Sequence, residues 1–166
     1  MASRIEHRAE FSADVATVLA AVSGETALRA RLEQLGGHAA KLLEHVPADD
    51  GVQYKLQQGI SADRLPQAVR TLHKGDLIVE REQIWKASGT EYIGVATAVV
   101  NGVPGEITSK TKLSEEGGQT VLRTSGEVKV RIPLFGAKLE SVIAEQVTKL
   151  LEREAEFTAK WLAEHA

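Results

Sequence analysis

Five polar side chains fall on stretches that otherwise read as apolar, and these are the positions where the chain could do chemistry. His7 shares a face with Ile5, Ala9 and Phe11. Arg81 and Gln83 share one with Leu77, Val79 and Trp85. Gln146 and Glu154 fall inside the apolar arc of the last helical segment. A buried charge must be paired or change its protonation state. Contact of Glu154 with Arg81, or with His7, would satisfy that requirement. Two uses fit such a group: a structural ion pair, or a polar contact that orients a ligand carboxylate, hydroxyl or carbonyl in an apolar cavity. His7 with Glu154 or Glu127 would also supply the elements of general acid–base catalysis.

Other chemistry lacks its residues. The five histidines, His7, His38, His45, His73 and His165, show no metal-ligand spacing, and there is no cysteine, so no metal is expected. There is no Gly-x-Ser-x-Gly elbow and no phosphate-cradling glycine loop, and no cofactor is expected. A formal charge of −3 gives no basic footprint for nucleic acid. The longest apolar run, Val15 to Val22, is too short to insert in a membrane. Arg4, Glu6, Arg8 and Glu10 near the start exclude a secretory signal core, and the lack of cysteine fits the cytoplasm.

The elements that must position the polar set follow from periodicity. Arg4 to Phe11 alternates as a half-buried strand, its charged face solvated or used in an oligomer contact. Ser12 or Asp14 caps a short helix to about Val22, and Glu25 to Leu35 gives a second, closed by Gly36-Gly37. The period then changes to two. Strands are expected over Ala39–Val46, from Val52 with Tyr54 and Leu56 on one face, and over Asp76–Lys86, Tyr92–Val100, Ile107–Leu113 and Thr120–Ile132. PADDG at Pro47, NGVPG at Asn101 and Gly117-Gly118 read as turns, which argues for an antiparallel sheet. Ser61 to Gly75 is too long for a hairpin turn. Leu65, Val69 and Leu72 have helical spacing there, and Pro66 suits a first helical turn, so the segment reads as a short helix on a lid-like loop. Pro133 to Glu164 forms a helix of about 28 residues, about 40 Å long. Its apolar face is Leu139, Ile143, Val147, Leu150, Phe157 and Trp161. Strand positions with little side-chain volume, Gly94, Ala96 and Ala98 on one face and Thr124 and Gly126 on another, mean either tight packing or space for a ligand.

This order of elements resembles the helix-grip fold of the START / polyketide-cyclase-like (SRPBCC) superfamily over residues 1–166, read as one domain. Three stretches, IEHRAEF at Ile5, LPQAVR at Leu65 and GEVKVRIPLFGAKLE at Gly126, are similar to an uncharacterised, actinobacterial family within it. The resemblance implies an α+β fold in which a curved antiparallel sheet of about six or seven strands wraps the C-terminal helix, with two short helices after the first strand. It also implies a cavity between sheet and helix that takes a hydrophobic or amphipathic small molecule, lipid-like or polyketide-like. The expected lining is Leu56, Leu77, Val79, Arg81, Gln83, Trp85, Ala96, Thr124, Val128, Ile143, Gln146, Val147 and Leu150, with His7 and Glu154 as polar groups and Leu65, Val69 and Leu72 as a lid. A cyclase- or dehydratase-type enzyme using a His–acid or Arg–acid pair, and a protein-interaction module with an exposed patch at Leu65 to Leu72, are the alternatives, because the fold alone does not choose among them.

Overall fold

The computed structural model describes residues 2–37, 39–65, 67–72 and 74–166, without the side chains of Ala68 and Leu72. Strand β1 (Ser3–Phe11) is followed by helices α1 (Val15–Ser23) and α2 (Glu25–Leu35). Strands β2 (Lys41–Ala48) and β3 (Gly51–Ile60) form a hairpin, and a 3-10 turn (Ala62–Arg64) and helix α3 (Gln67–Leu72) follow. Strands β4 (Leu77–Ser88), β5 (Glu91–Val100), β6 (Gly105–Glu116) and β7 (Gln119–Val130) lead to helix α4 (Gly136–Glu164).

The strands make one seven-stranded sheet in the order β1-β7-β6-β5-β4-β3-β2, with every neighbouring pair antiparallel. The two edge strands, β1 and β2, are joined through α1 and α2, so this helix pair bridges the sheet's edges. Helix α4 lies mainly along β1 and β7, and α1 and α2 pack on it and on each other. This is the α+β helix-grip arrangement that the family resemblance implied.

Local chemistry accounts for the elements. The Asp14 carboxylate accepts the Thr17 N–H at 2.8 Å and caps α1. On β3, Val52, Tyr54, Leu56 and Gln58 are buried and alternate with more open positions, as a sheet covered on one face requires. The β2–β3 turn is tighter than PADDG suggested, because β2 runs on through Pro47 and Ala48. Proline is tolerated there because β2 is an edge strand. The helix α4 face also differs from the apolar arc read from sequence. Leu139, Ile143, Glu154 and Thr158 are buried, whereas Phe157 and Trp161 are only half-buried and stack on each other with ring centres 6.0 Å apart. Glu140 is buried as well and accepts the Val130 N–H at 2.8 Å, fixing the start of α4 to the end of β7. The charged face of β1 is exposed and paired along the strand, Arg4 with Glu6 and Arg8 with Glu10.

Among the described residues, two apolar clusters form the core. One gathers Ile5, Leu65, Val69, Leu77, Val128, Leu139 and Ile143. The other gathers Phe11, Val18, Leu28, Tyr54, Leu56, Trp85 and Leu113 beneath α1 and α2. At Gly126 the sheet leaves no room for a side chain: a Cβ there would collide with the Thr108 carbonyl oxygen. Gly126 therefore serves close strand approach. Replacing it (Gly126→Val) forces β7 off β6, and urea unfolding is expected to show a loss of about 1–3 kcal/mol or more, the range for overpacking. An unchanged unfolding midpoint would show that the strand relaxes freely.

Candidate functional site

Between the sheet, α2 and α4 lies a cavity of about 470 Å³. Register builds its floor. His7 pairs with Thr124, Thr124 with Thr111, Thr111 with Gly94 and Gly94 with Trp85, one row across five strands. The next row runs Gly126, Ser109, Ala96, Gln83 and Tyr54. Small and hydroxylated residues thus occupy the centre of the inner face. The Thr111 and Thr124 hydroxyls are hydrogen-bonded to each other at 3.3 Å. The Trp85 indole N–H donates to the Tyr54 hydroxyl at 3.3 Å, and that hydroxyl donates to the Val22 carbonyl at 3.4 Å. Two aromatic side chains are fixed in this way at the β3–β4 side.

Helix α4 supplies the opposite wall with Ile143, Gln146, Val147, Leu150, Leu151, Glu154, Ala155 and Thr158. The Glu154 carboxylate is the electrostatic centre. Arg81 on β4 donates through Nη1 to both its oxygens, at 3.1 and 3.0 Å. Arg31 on α2 places its Nε 3.6 Å from Oε2. Burial alone would raise the Glu154 pKa, but the attraction of Arg31 and Arg81 and hydrogen bonds from Arg81 and Gln58 bring it below the ordinary value. Burial likewise opposes the charge on Arg81, and Glu154 overrides it, so Arg81 is held protonated. Glu154 is committed to these cations, which leaves it a poor proton acceptor for catalysis.

One end of the wall comes from the junction of α2 with β3. The Gly59 N–H donates to the Gly36 carbonyl at 2.9 Å. Gly37 has φ +70, and a Cβ on it would collide with the Gly59 carbonyl oxygen. Only glycine suits that backbone conformation and that approach. Arg64 and Arg153 are exposed and form part of the rim.

Of the lining expected from sequence, Leu77, Val79, Arg81, Gln83, Trp85, Ala96, Thr124, Ile143, Gln146, Val147, Leu150, His7 and Glu154 are on the wall. Leu56 and Val128 are not. Leu56 is covered by the cluster under α1 and α2, and Val128 by the cluster that holds Leu139 and Ile143. The lid segment differs too. Leu65 and Val69 are buried in the cluster that holds Leu139 and Ile143, and among the described residues of this region Ser61 and Arg64 reach the wall. No exposed interaction patch is formed by Leu65 and Val69. The Leu72 side chain, Pro66, His38 and His73 lie outside the described residues. Among the described residues no group of three or more His, Asp or Glu is placed to hold a metal, and no helix is long and apolar enough to cross a membrane. Sequence reading missed Arg31, Gln58, Thr111, Arg64 and Arg153. For Arg31 a signal existed: it stands three and four residues after Leu28 and Ala27, on the buried face of α2.

This architecture, a sheet gripping a long closing helix with a cavity between them, is a START-like fold. Solved structures agree on the fold. The protein TTHA0849 from Thermus thermophilus matches with a TM-score of 0.66 at 10% identity, covering 99% of each chain. A START superfamily protein from Mycobacterium smegmatis matches at 0.55 and 12%, over 96% of this chain and 98% of that one. Norcoclaurine synthase from Thalictrum, solved with a transition-state analogue, matches at 0.58 and 16%, over 99% and 96%. The chain belongs to the family described as Protein of unknown function (DUF2505), whose model matches residues 6–162. An uncharacterised protein of Mycobacterium tuberculosis is 35% identical over 121 residues, 69% of this chain and 68% of that protein.

Because the folded-state pKa of Glu154 is lowered, its pairing contributes fully above the ordinary value of about 4.5 and is lost as pH falls through the lowered value. Glu154→Gln leaves two guanidinium groups without their anion, so chemical denaturation at neutral pH is expected to show a loss of about 3–5 kcal/mol. The same variant should flatten the acid limb of the stability–pH curve. A wild-type acid limb in the variant would place the titrating group elsewhere.

Proposed function

We propose that this protein binds a hydrophobic or amphipathic small molecule in the cavity between its sheet and α4. The observation that carries the reading is the cavity itself, about 470 Å³, which lies inside the range of about 300–1,000 Å³ of small-molecule sites. Protein interiors are otherwise close-packed, so space of this size under a long helix is maintained by the residues around it. Ala96 and Ala98 keep the floor low, while Leu77, Val79, Ile143 and Val147 supply apolar wall and Gln83, Gln146 and the Arg81–Glu154 pair supply polar contacts. The START-like fold, which also includes ligand-bound relatives such as norcoclaurine synthase, supports a binding role without naming a ligand.

Two measurements test this. Native mass spectrometry of the purified protein is expected to show a bound small molecule, and the neutral fluorophore N-phenyl-1-naphthylamine is expected to bind saturably. Ala96→Phe and Ala98→Phe fill the floor, so each is expected to weaken fluorophore binding by about tenfold or more while the melting temperature is kept, since the void is replaced by contact. Wild-type protein that fails to bind the fluorophore, or phenylalanine variants that bind it unchanged, would overturn the reading.

A further inference from the structure

We propose, resting on the reading of the cavity as a ligand site, that the ligand is a carboxylic acid with an apolar body and that Arg31 receives its carboxylate. Among the described residues, the wall of the cavity carries four arginines, Arg31, Arg64, Arg81 and Arg153, against a single acid, Glu154. The chain as a whole has the opposite balance, with 20 Lys and Arg against 23 Asp and Glu. The cationic excess is therefore local to this cavity.

Away from the exposed Arg64 and Arg153, the balance is two arginines to one acid. Arg31 and Arg81 share one carboxylate. Arg81 holds it with two hydrogen bonds, whereas Arg31 stands at 3.6 Å, beyond hydrogen-bond length. Arg31 is only 5% exposed, yet its Nε and Nη2 have no hydrogen-bond partner among the described residues. Those two N–H groups lie on the same side of the guanidinium and form the fork that takes a carboxylate in two parallel bonds. Gln83, 3% exposed, likewise leaves its amide nitrogen without a partner among the described residues. The set of Arg31, Arg81, Glu154 and Gln83 thus has donors in excess and one positive charge in excess, and a monoanion with acceptor oxygens meets both. A buried guanidinium that shares its anion with Arg81 and leaves two N–H groups unbonded is costly, and an entering carboxylate removes that cost while the apolar body covers Val79, Ile143 and Val147.

The test compares ligands that differ only at the head group. Decanoate, decanol and decyltrimethylammonium are titrated at about pH 7.5, where a carboxylic acid is ionised, against N-phenyl-1-naphthylamine bound to the full chain. Decanoate is expected to bind about tenfold or more tightly than decanol, and the cation more weakly than decanol. In Arg31→Met, which keeps the Arg81–Glu154 pair intact, decanoate is expected to fall to the affinity of decanol, with decanol changed by no more than about twofold. Equal binding of decanoate and decanol by the wild-type protein would overturn the proposal and leave the cavity reading standing. A decanoate preference that survives in a folded Arg31→Met protein would overturn the assignment to Arg31. Failure of the fluorophore to bind the wild-type protein would instead remove the cavity reading on which the proposal rests.

Discussion

The Glu154 carboxylate ties together the parts of the molecule that enclose the cavity. It sits on α4 and is held by Arg81 from β4 and Arg31 from α2. Apolar contact is non-directional and is satisfied by any close approach. An ion pair with two oxygens on one guanidinium is directional, and long side chains make it across a gap. The helix and the sheet are therefore fixed at a spacing set by the reach of Arg81 and Glu154. Buried ion pairs contribute little net stability compared with apolar packing of the same volume. Here the pair fixes a geometry, and the two apolar clusters supply the cohesion.

Those clusters stand on either side of the cavity. Leu65, Val69, Leu77, Leu139 and Ile143 close one region, and Val18, Leu28, Leu56 and Leu113 close the other. Between them the inner face of the sheet carries Ala96, Ala98, Thr111 and Thr124. Short side chains do not reach α4, and the threonine hydroxyls satisfy each other across β6 and β7. The two causes of small residues in strands are thus separated along one sheet. At Gly126 the neighbouring backbone leaves no volume, and at Gly94 the Gln83 amide and the Trp85 ring take it up. At Ala96 and Ala98 the volume stays open to the cavity.

The periods of the chain made much of this legible. Alternation gave β1, β3 and β7 their faces, and the α4 arc correctly held Glu154 within reach of the face that bears Arg81. Val128 and Leu56 were misplaced for a common reason. Alternation reports which side of a sheet a residue faces, but not whether a helix, a loop or empty space lies above it. Leu65 and Val69 failed differently: helical spacing on a long loop identifies an apolar side, and burial of that side turned the expected lid into core. Arg31 was missed because an arginine among Arg29, Glu33 and Gln34 reads as part of a solvated face. Only the position of Ala27, Leu28 and Leu32 beside it marks that face as the buried one. Charge in a segment of mixed polarity carries less information than the phase of the few apolar residues around it.

Phase also bears on how a charged ligand would meet this protein. A net charge of −3 spread over the surface repels an anion weakly, because charges farther away than about 8–10 Å are screened at physiological salt. What an incoming molecule senses is the rim, where Arg64 and Arg153 are exposed. Inside, water is displaced and the effective dielectric falls, so the unequal sharing of Glu154 by Arg31 and Arg81 acts with less screening than it would at the surface. Rim and interior therefore present the same sign to an entering molecule, one as a screened attraction at the mouth and the other as a short-range bond within. A cavity shaped only by apolar packing would have no reason to keep that sequence of charges along its wall.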